Sequence, residues 1–216
     1  MYKAVVFDMD GVIFDTEKLY RKVETEEGLS RGVPEDVMKV VLDMIAGGNK
    51  HTNKPKFEAT VGRGIDYFDF RECMLKRFDE SVEKNGVEFK DGVVETLEFL
   101  KSKGVPIGLA TSTSKERASK YFAKTGVDKY FDVMVFGDNL KNGKPAPDIY
   151  LMACEQLGVE PSQAIGVEDS INGVKSSAAA GMCAVMVIDL IQPTDEIREI
   201  ASKICDNVRE IQAYFE

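Results

Sequence analysis

The sequence predicts an α/β protein: a doubly wound parallel sheet with a small all-helical domain inserted after its first strand. Three observations support this. Strand and helix patterns alternate from Asp91 onward, which is typical of βα units in a parallel sheet. Residues 4–7 form a continuous apolar run, as in a buried parallel strand. Residues 16–85 show helical periodicity and no convincing strand. We therefore expect a core domain of residues 1–15 and 86–216 and a helical cap domain of residues 16–85.

The individual elements follow from apolar periodicity and from the glycine and asparagine residues that separate the periodic segments. The inserted segment predicts helices over 16–28, 35–46, 51–61 and 67–84. The core predicts strands over 105–110, 131–136, 163–167 and 184–188. It also predicts helices over 93–100, 115–124, 148–157 and 171–180, and a short helix from about Asn207. The stretch 47–51 is interpreted as a turn between two inserted helices.

Composition narrows the class of partner. A formal net charge of −9 argues against nonspecific binding of nucleic acid, and an anionic substrate would need a local positive centre. No apolar run approaches the roughly 20 residues that span a bilayer, and no signal-peptide pattern precedes the first strand. The four scattered cysteines suit reduced thiols, and a single histidine, His51, gives little support for zinc. We expect a cytoplasmic monomer without nucleic-acid or membrane partners.

Two carboxylates mark the end of the first strand. Asp8 and Asp10 follow the apolar run directly, and Gly11 allows the chain to turn there. Ligands of open α/β sheets bind just beyond the carboxyl ends of the strands. Alternation along an extended chain puts both side chains on one side, with Met9 pointing away. The alternative is a strand that simply ends in solvated aspartates.

Three more polar clusters fall at predicted strand ends or just before helices: 110–113, 143–148 and 166–170. Together with Asp8 and Asp10 they bring carboxylates, a hydroxyl and a lysine to one edge of the sheet. This set suits phosphoryl transfer, in which one carboxylate is the nucleophile and another the acid and base. Carboxylates also hold Mg²⁺, and an ammonium and a hydroxyl can bind the equatorial phosphate oxygens.

Each cluster also has a structural interpretation. Thr111 could be an ordinary helix N-cap or turn residue, and Lys144 a solvated loop lysine. Residues 168–170 could be helix-start chemistry, as Asp148 is. Residues 15 and 16 would cap the first inserted helix, and Gly173 would allow close packing of a helix on the sheet.

The four motifs, Phe7–Glu17, Leu109–Ser112, Gly143–Asp148 and Gly166–Val174, resemble those of the haloacid dehalogenase superfamily. The similarity is strongest to its branch of β-phosphoglucomutase-like phosphatases. It implies that Asp8 is the nucleophile and becomes phosphorylated. It implies that Asp10 is the general acid and base, and that its backbone carbonyl helps to bind Mg²⁺.

The same resemblance implies roles for the other three motifs. Thr111, with the backbone of Ser112, would hold the phosphoryl group, and Lys144 would bridge the phosphate and the nucleophile. Asp169, with Glu168, would complete the metal site. The Mg²⁺ ligands implied are therefore Asp8, Asp10, Glu168 and Asp169.

Phosphatases and sugar-phosphate mutases of this branch share one core. The mutases usually carry histidine at the position of Tyr20, and related phosphatases commonly have glutamate at the position of Glu17. A mutase also needs a basic cap residue for a distal phosphate. The candidates are Lys50, His51, Lys54, Lys56 and Arg63, any of which could equally belong to a solvated helix face. Glu17, Tyr20 and Lys50 are the residues that we expect to set cap specificity.

The sequence thus predicts an Mg²⁺-dependent phosphatase of a small phosphorylated metabolite, a sugar or polyol phosphate. The alternative is a β-phosphoglucomutase-type mutase. A receiver-like regulatory module also combines an aspartate, an acidic metal pair, a threonine and a lysine. It would need neither the second carboxylate, Asp10, nor an inserted lid. Asp10 argues against dehalogenation as well, because dehalogenases of the superfamily lack it.

Overall fold

The computed structural model describes residues 2–45 and 50–216, without the side chains of residues 50–52 and 139. The turn predicted over 47–51 therefore lies largely outside the described residues. The chain divides into two compact units, Met1–Asp15 with Val87–Glu216, and Thr16–Gly86. We refer to them as the sheet unit and the helical unit.

The sheet unit contains a six-stranded parallel sheet with strand order β3-β2-β1-β4-β5-β6, which confirms the predicted fold class. Its strands are β1 (Ala4–Phe7), β2 (Ile107–Thr111), β3 (Val133–Phe136), β4 (Ala164–Glu168), β5 (Cys183–Val187) and β6 (Lys203–Cys205). The helices, numbered along the whole chain, are α1 (Glu17–Ser30), α2 (Glu35–Ile45), α3 (Lys50–Val61), α4 (Tyr67–Asn85), α5 (Val93–Ser102), α6 (Lys115–Thr125), α7 (Asp148–Leu157), α8 (Ile171–Ala179) and α9 (Asp195–Ile200).

The apolar run at the N-terminus becomes the central strand. All four residues of β1 are buried, and Phe7 lies opposite Leu109 on one side and Val167 on the other. Burying a valine or phenylalanine side chain contributes about 1.5–3 kcal/mol. The buried strand therefore fixes the position of Asp8, the next residue. Gly166 in β4 lets α8 approach closely, since a Cβ there would stand 2.1 Å from Ser177 Oγ.

Two short elements near the C-terminus escaped prediction. Helix α9 has six residues and strand β6 has three, both too short to show a periodic pattern. The strand predicted from residue 105 begins instead at Ile107, after Pro106, which has no N–H for a sheet ladder. The C-terminal helix predicted from Asn207 is a 3₁₀ helix, Val208–Tyr214, with Asn207 as its cap.

The helical unit consists of α1 to α4. Glu27 on α1 is buried and paired on both oxygens, with Arg31 Nε and Arg77 Nε at 2.7 Å each. Gly28 lies against Met38, which joins α1 to α2. Thr16 stands at the N-cap position of α1 but makes no side-chain capping hydrogen bond, so the predicted capping role for it is wrong. No helix in the described ranges has the length and apolar character required to cross a membrane.

The two chain connections to the helical unit pair with each other inside the sheet unit. Phe14 and Phe89 form an antiparallel bridge, and their rings stack at 5.3 Å. Lys90, on the returning connection, donates to Asp189 Oδ1 at 2.7 Å. These contacts fix the segment that carries Asp8 and Asp10.

Candidate active site

Asp8 stands at the carboxyl end of the central strand. Its backbone N–H donates to the Val167 carbonyl at 2.9 Å, which extends the β1–β4 ladder by one residue. Because Phe7 lies between Leu109 and Val167, Asp8 is flanked by the segments around Ala110 and Glu168. The side chain of Asp8 is buried, with only 10 % of its surface exposed.

Lys144, in the third motif, contacts residues of the other three. Its ammonium donates to Asp8 Oδ1 at 2.5 Å, to the Ala110 carbonyl at 3.0 Å and to Glu168 Oε1. Burial by itself would lower the pKa of Lys144, but the Asp8 and Glu168 carboxylates outweigh it and hold the pKa above its ordinary value. The alternative of a solvated loop lysine is therefore wrong, and the group is a fixed buried cation.

Three buried carboxylates meet beside this ammonium. Asp8, Glu168 and Asp169 each place a ligand atom within 4.8 Å of the others. Asp8 and Glu168 share the Lys144 ammonium, and Asp169 adds a third carboxylate to the group. Hard oxygen donors in this number suit Mg²⁺. The donor set therefore fits the divalent cation that the family resemblance implies.

Burial has a second effect on this cluster. Desolvation raises the pKa of Asp8 well above its usual value, and the Glu168 and Asp10 carboxylates add to the rise, although Lys144 opposes it. A cation bound among the carboxylates would favour the ionised form that a nucleophile requires.

Two glycines give the carboxylates room. A Cβ on Gly173 would stand 1.9 Å from Glu168 Cδ, and one on Gly11 would stand 2.1 Å from Asp169 Oδ2. Gly11 also has φ of +80°, a conformation that other residues rarely adopt. The sequence predicts close helix–sheet packing at Gly173; the structure shows that this glycine accommodates a carboxylate.

Asp10 lies in the tight turn that follows Asp8. The turn is closed by hydrogen bonds from Gly11 N to the Phe14 carbonyl and from Ile13 N to the Met9 carbonyl, both 2.9 Å. Asp10 Oδ2 accepts a hydrogen bond from Thr113 Oγ1 at 2.7 Å. The Asp10 carboxylate is thus directed toward the end of β2 and is separate from the three-carboxylate cluster.

Thr111 ends β2 and is buried. Its hydroxyl oxygen accepts from Thr113 N at 3.0 Å, which closes a local turn. The N-cap of α6 is Ser114, whose side chain accepts from Arg117 N. The interpretation of Thr111 as an N-cap is therefore wrong, whereas its interpretation as a turn residue agrees with the bond from Thr113 N. Ser112 is exposed, and its carbonyl lies so close to Gly137 that a Cβ there would be 2.5 Å away.

The loop that carries Lys144 is tied to α8. Ser176 Oγ donates to the Ala146 carbonyl at 2.6 Å, and the Lys144–Pro145 peptide bond is cis. Asp148 begins α7 and accepts from Asn142 Nδ2 at 3.0 Å, which agrees with its structural interpretation.

Glu168 is held by residues that sequence reasoning missed or interpreted only as structural. Tyr150 OH donates to Glu168 Oε1 at 2.7 Å, and Ser170 Oγ donates to Oε2 at 3.2 Å. Ser170 is also the N-cap of α8, so helix-start chemistry belongs to that residue and not to the two acidic ones. Tyr150 and Thr113 each lie close to a motif, and no other feature of the sequence marks either residue as part of the site.

The expected specificity residues lie in the helical unit. Glu17 is in the first turn of α1, and the ring of Tyr20 stacks on Phe78 at 4.0 Å. Lys50 begins α3, and its side chain lies outside the described part of the chain. Among the other basic candidates, Lys54 is paired with Glu58 and Asp66 at 2.7 Å each.

A sheet with this topology and a buried aspartate, lysine and acidic pair at its carboxyl edge defines a class of hydrolases. Residues 2–181 match the model of the haloacid dehalogenase-like hydrolase family. The chain belongs to this family.

Named relatives agree with this assignment. A phosphorylated carbohydrates phosphatase of Thermotoga maritima is 38% identical over 83% of this chain and 82% of its own length. Hexitol phosphatase B of Escherichia coli is 28% identical over 85% of this chain and 82% of its own. The structure of a candidate beta-phosphoglucomutase of Thermotoga maritima, 33% identical, superposes with a TM-score of 0.78 over 99% of this chain and 98% of that one. The protein is a phosphoric monoester hydrolase of the β-phosphoglucomutase-like branch.

Proposed function

We propose that this protein is an Mg²⁺-dependent phosphatase that hydrolyses a small sugar or polyol phosphate through an aspartyl-phosphate on Asp8. The observation that carries the proposal is the 2.5 Å contact between Asp8 Oδ1 and the buried Lys144 ammonium, at the carboxyl end of the central strand. A carboxylate fixed in this way is aligned for attack and cannot rotate freely.

In the first step, the Asp8 carboxylate attacks phosphorus in line with the departing alcohol oxygen. The bond from Asp8 to phosphorus forms as the ester bond breaks, and Asp10 gives its proton to the leaving oxygen. In the second step, Asp10 takes a proton from water, and that water attacks phosphorus. Inorganic phosphate leaves, and the Asp8 carboxylate is regenerated.

The other residues stabilise charge during both steps. Lys144 is anchored by Asp8, Glu168 and the Ala110 carbonyl, so its ammonium is positioned before the phosphate arrives. We assign the phosphate oxygens to Lys144, to the Thr111 hydroxyl and to the backbone of Ser112. The carboxylates of Asp8, Glu168 and Asp169, with the backbone carbonyl of Asp10, would hold Mg²⁺. The bound ion would offset the repulsion between phosphate and nucleophile.

The substrate class is inferred from relatives named as phosphatases of phosphorylated carbohydrates and of hexitols. We place substrate selection in the helical unit, with Glu17, Tyr20 and Lys50 as candidate contacts. Tyr20 supports hydrolysis over mutase chemistry because this position offers no imidazole.

The test is phosphate release from a panel of sugar, polyol and nucleotide monophosphates, with Mg²⁺, with EDTA, and with the Asp8→Asn variant. Each reaction is also analysed for an isomerised sugar phosphate. The proposal expects release that requires both Mg²⁺ and Asp8 and that is fastest on a sugar or polyol phosphate. Isomerisation without release would replace the phosphatase by a mutase, and release that persists in Asp8→Asn would overturn covalent catalysis.

A further inference from the structure

Tyr150 contacts two residues of the candidate site, although its position in an amphipathic helix suggests only a core residue. It lies on α7 and is fully buried, packed within the apolar cluster that contains Ile149, Ala153 and Cys154. Its hydroxyl donates to Glu168 Oε1 at 2.7 Å, and its ring lies beneath the Lys144 ammonium, 5.1 Å from the ring centroid. The Tyr150 side chain therefore contacts both Glu168 and Lys144, two residues whose charges act on Asp8.

The contact with Glu168 matters because the same oxygen serves two donors. Glu168 Oε1 accepts from Tyr150 OH and from Lys144 Nζ, while Oε2 accepts from Ser170 Oγ. The carboxylate is 1 % exposed and fits into the space left by Gly173. Water has little access to replace a lost donor, so each of these hydrogen bonds determines where the carboxylate points.

The contact with Lys144 concerns how one ammonium is shared. Lys144 serves Asp8 and Glu168 together. A donor on Glu168 Oε1 reduces the attraction of that carboxylate for the lysine, and the π-face of the Tyr150 ring, 5.1 Å from the ammonium, adds a cation–π attraction. Without the hydroxyl, Lys144 would be the donor left on Glu168 Oε1 and would be drawn toward that oxygen and away from Asp8.

We propose that Tyr150 is a positioning residue whose hydroxyl orients Glu168 for the metal and keeps Lys144 shared with Asp8. This inference rests on the proposed function, in which Asp8, Glu168 and Asp169 hold Mg²⁺. The positioning role can be separated from a structural role of the same side chain. The ring accounts for the packing in the apolar cluster, whereas the hydroxyl accounts for the contact with Glu168.

The Tyr150→Phe variant separates the two roles, since it keeps the ring and removes the hydroxyl. Mg²⁺ binding is measured by calorimetry without substrate, and the Mg²⁺ concentration for half-maximal turnover is measured in parallel. Loss of a group that orients a metal ligand typically weakens metal affinity by roughly 10- to 100-fold. We expect the dissociation constant of Mg²⁺ and the Mg²⁺ concentration for half-maximal turnover to rise by this factor. Urea unfolding of the same variant reports whether the fold is retained.

Tyr121→Phe is the matched control. Tyr121 is another fully buried tyrosine of the sheet unit, on α6, with its ring edge-on to Phe14 at 5.6 Å. It should leave the dissociation constant of Mg²⁺ unchanged. A folded Tyr150→Phe protein that binds Mg²⁺ within about twofold of the wild type would overturn the inference.

The Asp169→Ala variant separates the test of the metal site from the test of the role of Tyr150. If it abolishes Mg²⁺ binding while Tyr150→Phe binds Mg²⁺ within about twofold of the wild type, the metal site stands and only the role of Tyr150 is overturned. If the wild type itself binds no Mg²⁺, both the metal site and the inference that rests on it are overturned.

Discussion

Thr113 and Asp10 are joined across 103 residues of sequence by a hydrogen bond of 2.7 Å from the threonine hydroxyl to Asp10 Oδ2. In the proposed mechanism Asp10 moves a proton in both steps, so the orientation of its carboxylate controls the rate. Thr113 lies just beyond β2, and the bond links the first motif to the residue that follows the second.

Replacing Thr113 by valine should therefore slow turnover. The substitution keeps the shape of the side chain and removes the donor, and we expect a roughly tenfold lower kcat because a misplaced acid transfers its proton less well. Steady-state kinetics on the best substrate of the panel give the value. Thr113→Ser retains the hydroxyl and serves as the control. Equal rates for valine and wild type would show that the bond does not position Asp10.

Gly173→Ala should disturb the metal site through Glu168. The added Cβ would stand 1.9 Å from Glu168 Cδ and must displace the carboxylate. We expect a loss of about 1–3 kcal/mol in the free energy of unfolding, as for other overpacked positions, together with weaker Mg²⁺ binding. Calorimetry and urea unfolding measure the two effects.

The control for Gly173→Ala is Gly28→Ala in the helical unit. There the added Cβ would meet Met38 Sδ at 2.3 Å and no carboxylate. It should lower stability and leave Mg²⁺ affinity unchanged. If both variants left Mg²⁺ affinity unchanged, Gly173 would not be needed to accommodate Glu168.

Removing the Lys144 ammonium should destabilise the folded protein. Lys144→Ala leaves Asp8 and Glu168 buried without their shared cation, and breaking a buried pair from one side costs about 3–5 kcal/mol. Urea unfolding in EDTA measures the loss. Lys101→Ala, which breaks a more exposed pair with Asp132, is the control and should cost at most about 1 kcal/mol. Equal losses for the two variants would contradict a buried, fixed lysine.

Glu24 on α1 gives a pH dependence that does not involve the metal site. Burial raises the pKa of Glu24 to about 8, the Glu17 carboxylate adds to the rise, and Arg21 and Arg71 oppose it. Between the ordinary glutamate pKa of 4.5 and this value, the folded protein holds a proton that the unfolded chain has lost. Glu24 therefore reduces stability progressively as pH rises through this window.

The Glu24→Gln variant lacks this titration. Relative to it, the wild type should lose at most about 1.4 kcal/mol of unfolding free energy per pH unit within the window. Urea unfolding of both proteins at the two ends and the middle of the window gives the difference. Glu26→Gln changes an exposed glutamate of the same helix and controls for the loss of one charge. A wild-type minus Glu24→Gln difference that is flat with pH would contradict the raised pKa.

The sheet was predictable because its strands are strongly marked. Residues 4–7 are apolar without interruption, and the strand at 164–168 runs into two acidic residues, so both the strands and their functional ends were evident. The edge strand Lys203–Cys205 was not, since three residues carry no periodicity and its position depends on pairing with β5.

Contacts between side chains far apart in sequence were the other feature that the sequence did not predict. Tyr150 has the spacing of a core residue on α7, and only the folded chain shows that its hydroxyl reaches Glu168, 18 residues away. Likewise, Lys90 pairs with Asp189, which is 99 residues away in sequence, and no local pattern predicts such a pair. Sequence motifs predicted the groups that face a ligand, whereas the residues that hold those groups in place appeared only in the structure.

The central claim is that Asp8 becomes phosphorylated, and the most direct test traps that species. The Asp10→Asn variant is incubated with Mg²⁺ and p-nitrophenyl phosphate, whose leaving group needs no proton, then quenched in acid and mapped by peptide mass spectrometry. We predict one phosphoryl group on the peptide that contains Asp8, absent from the Asp8→Asn, Asp10→Asn double variant. A phosphoryl group on another residue, or full turnover by Asp10→Asn with no modified peptide, would contradict the mechanism.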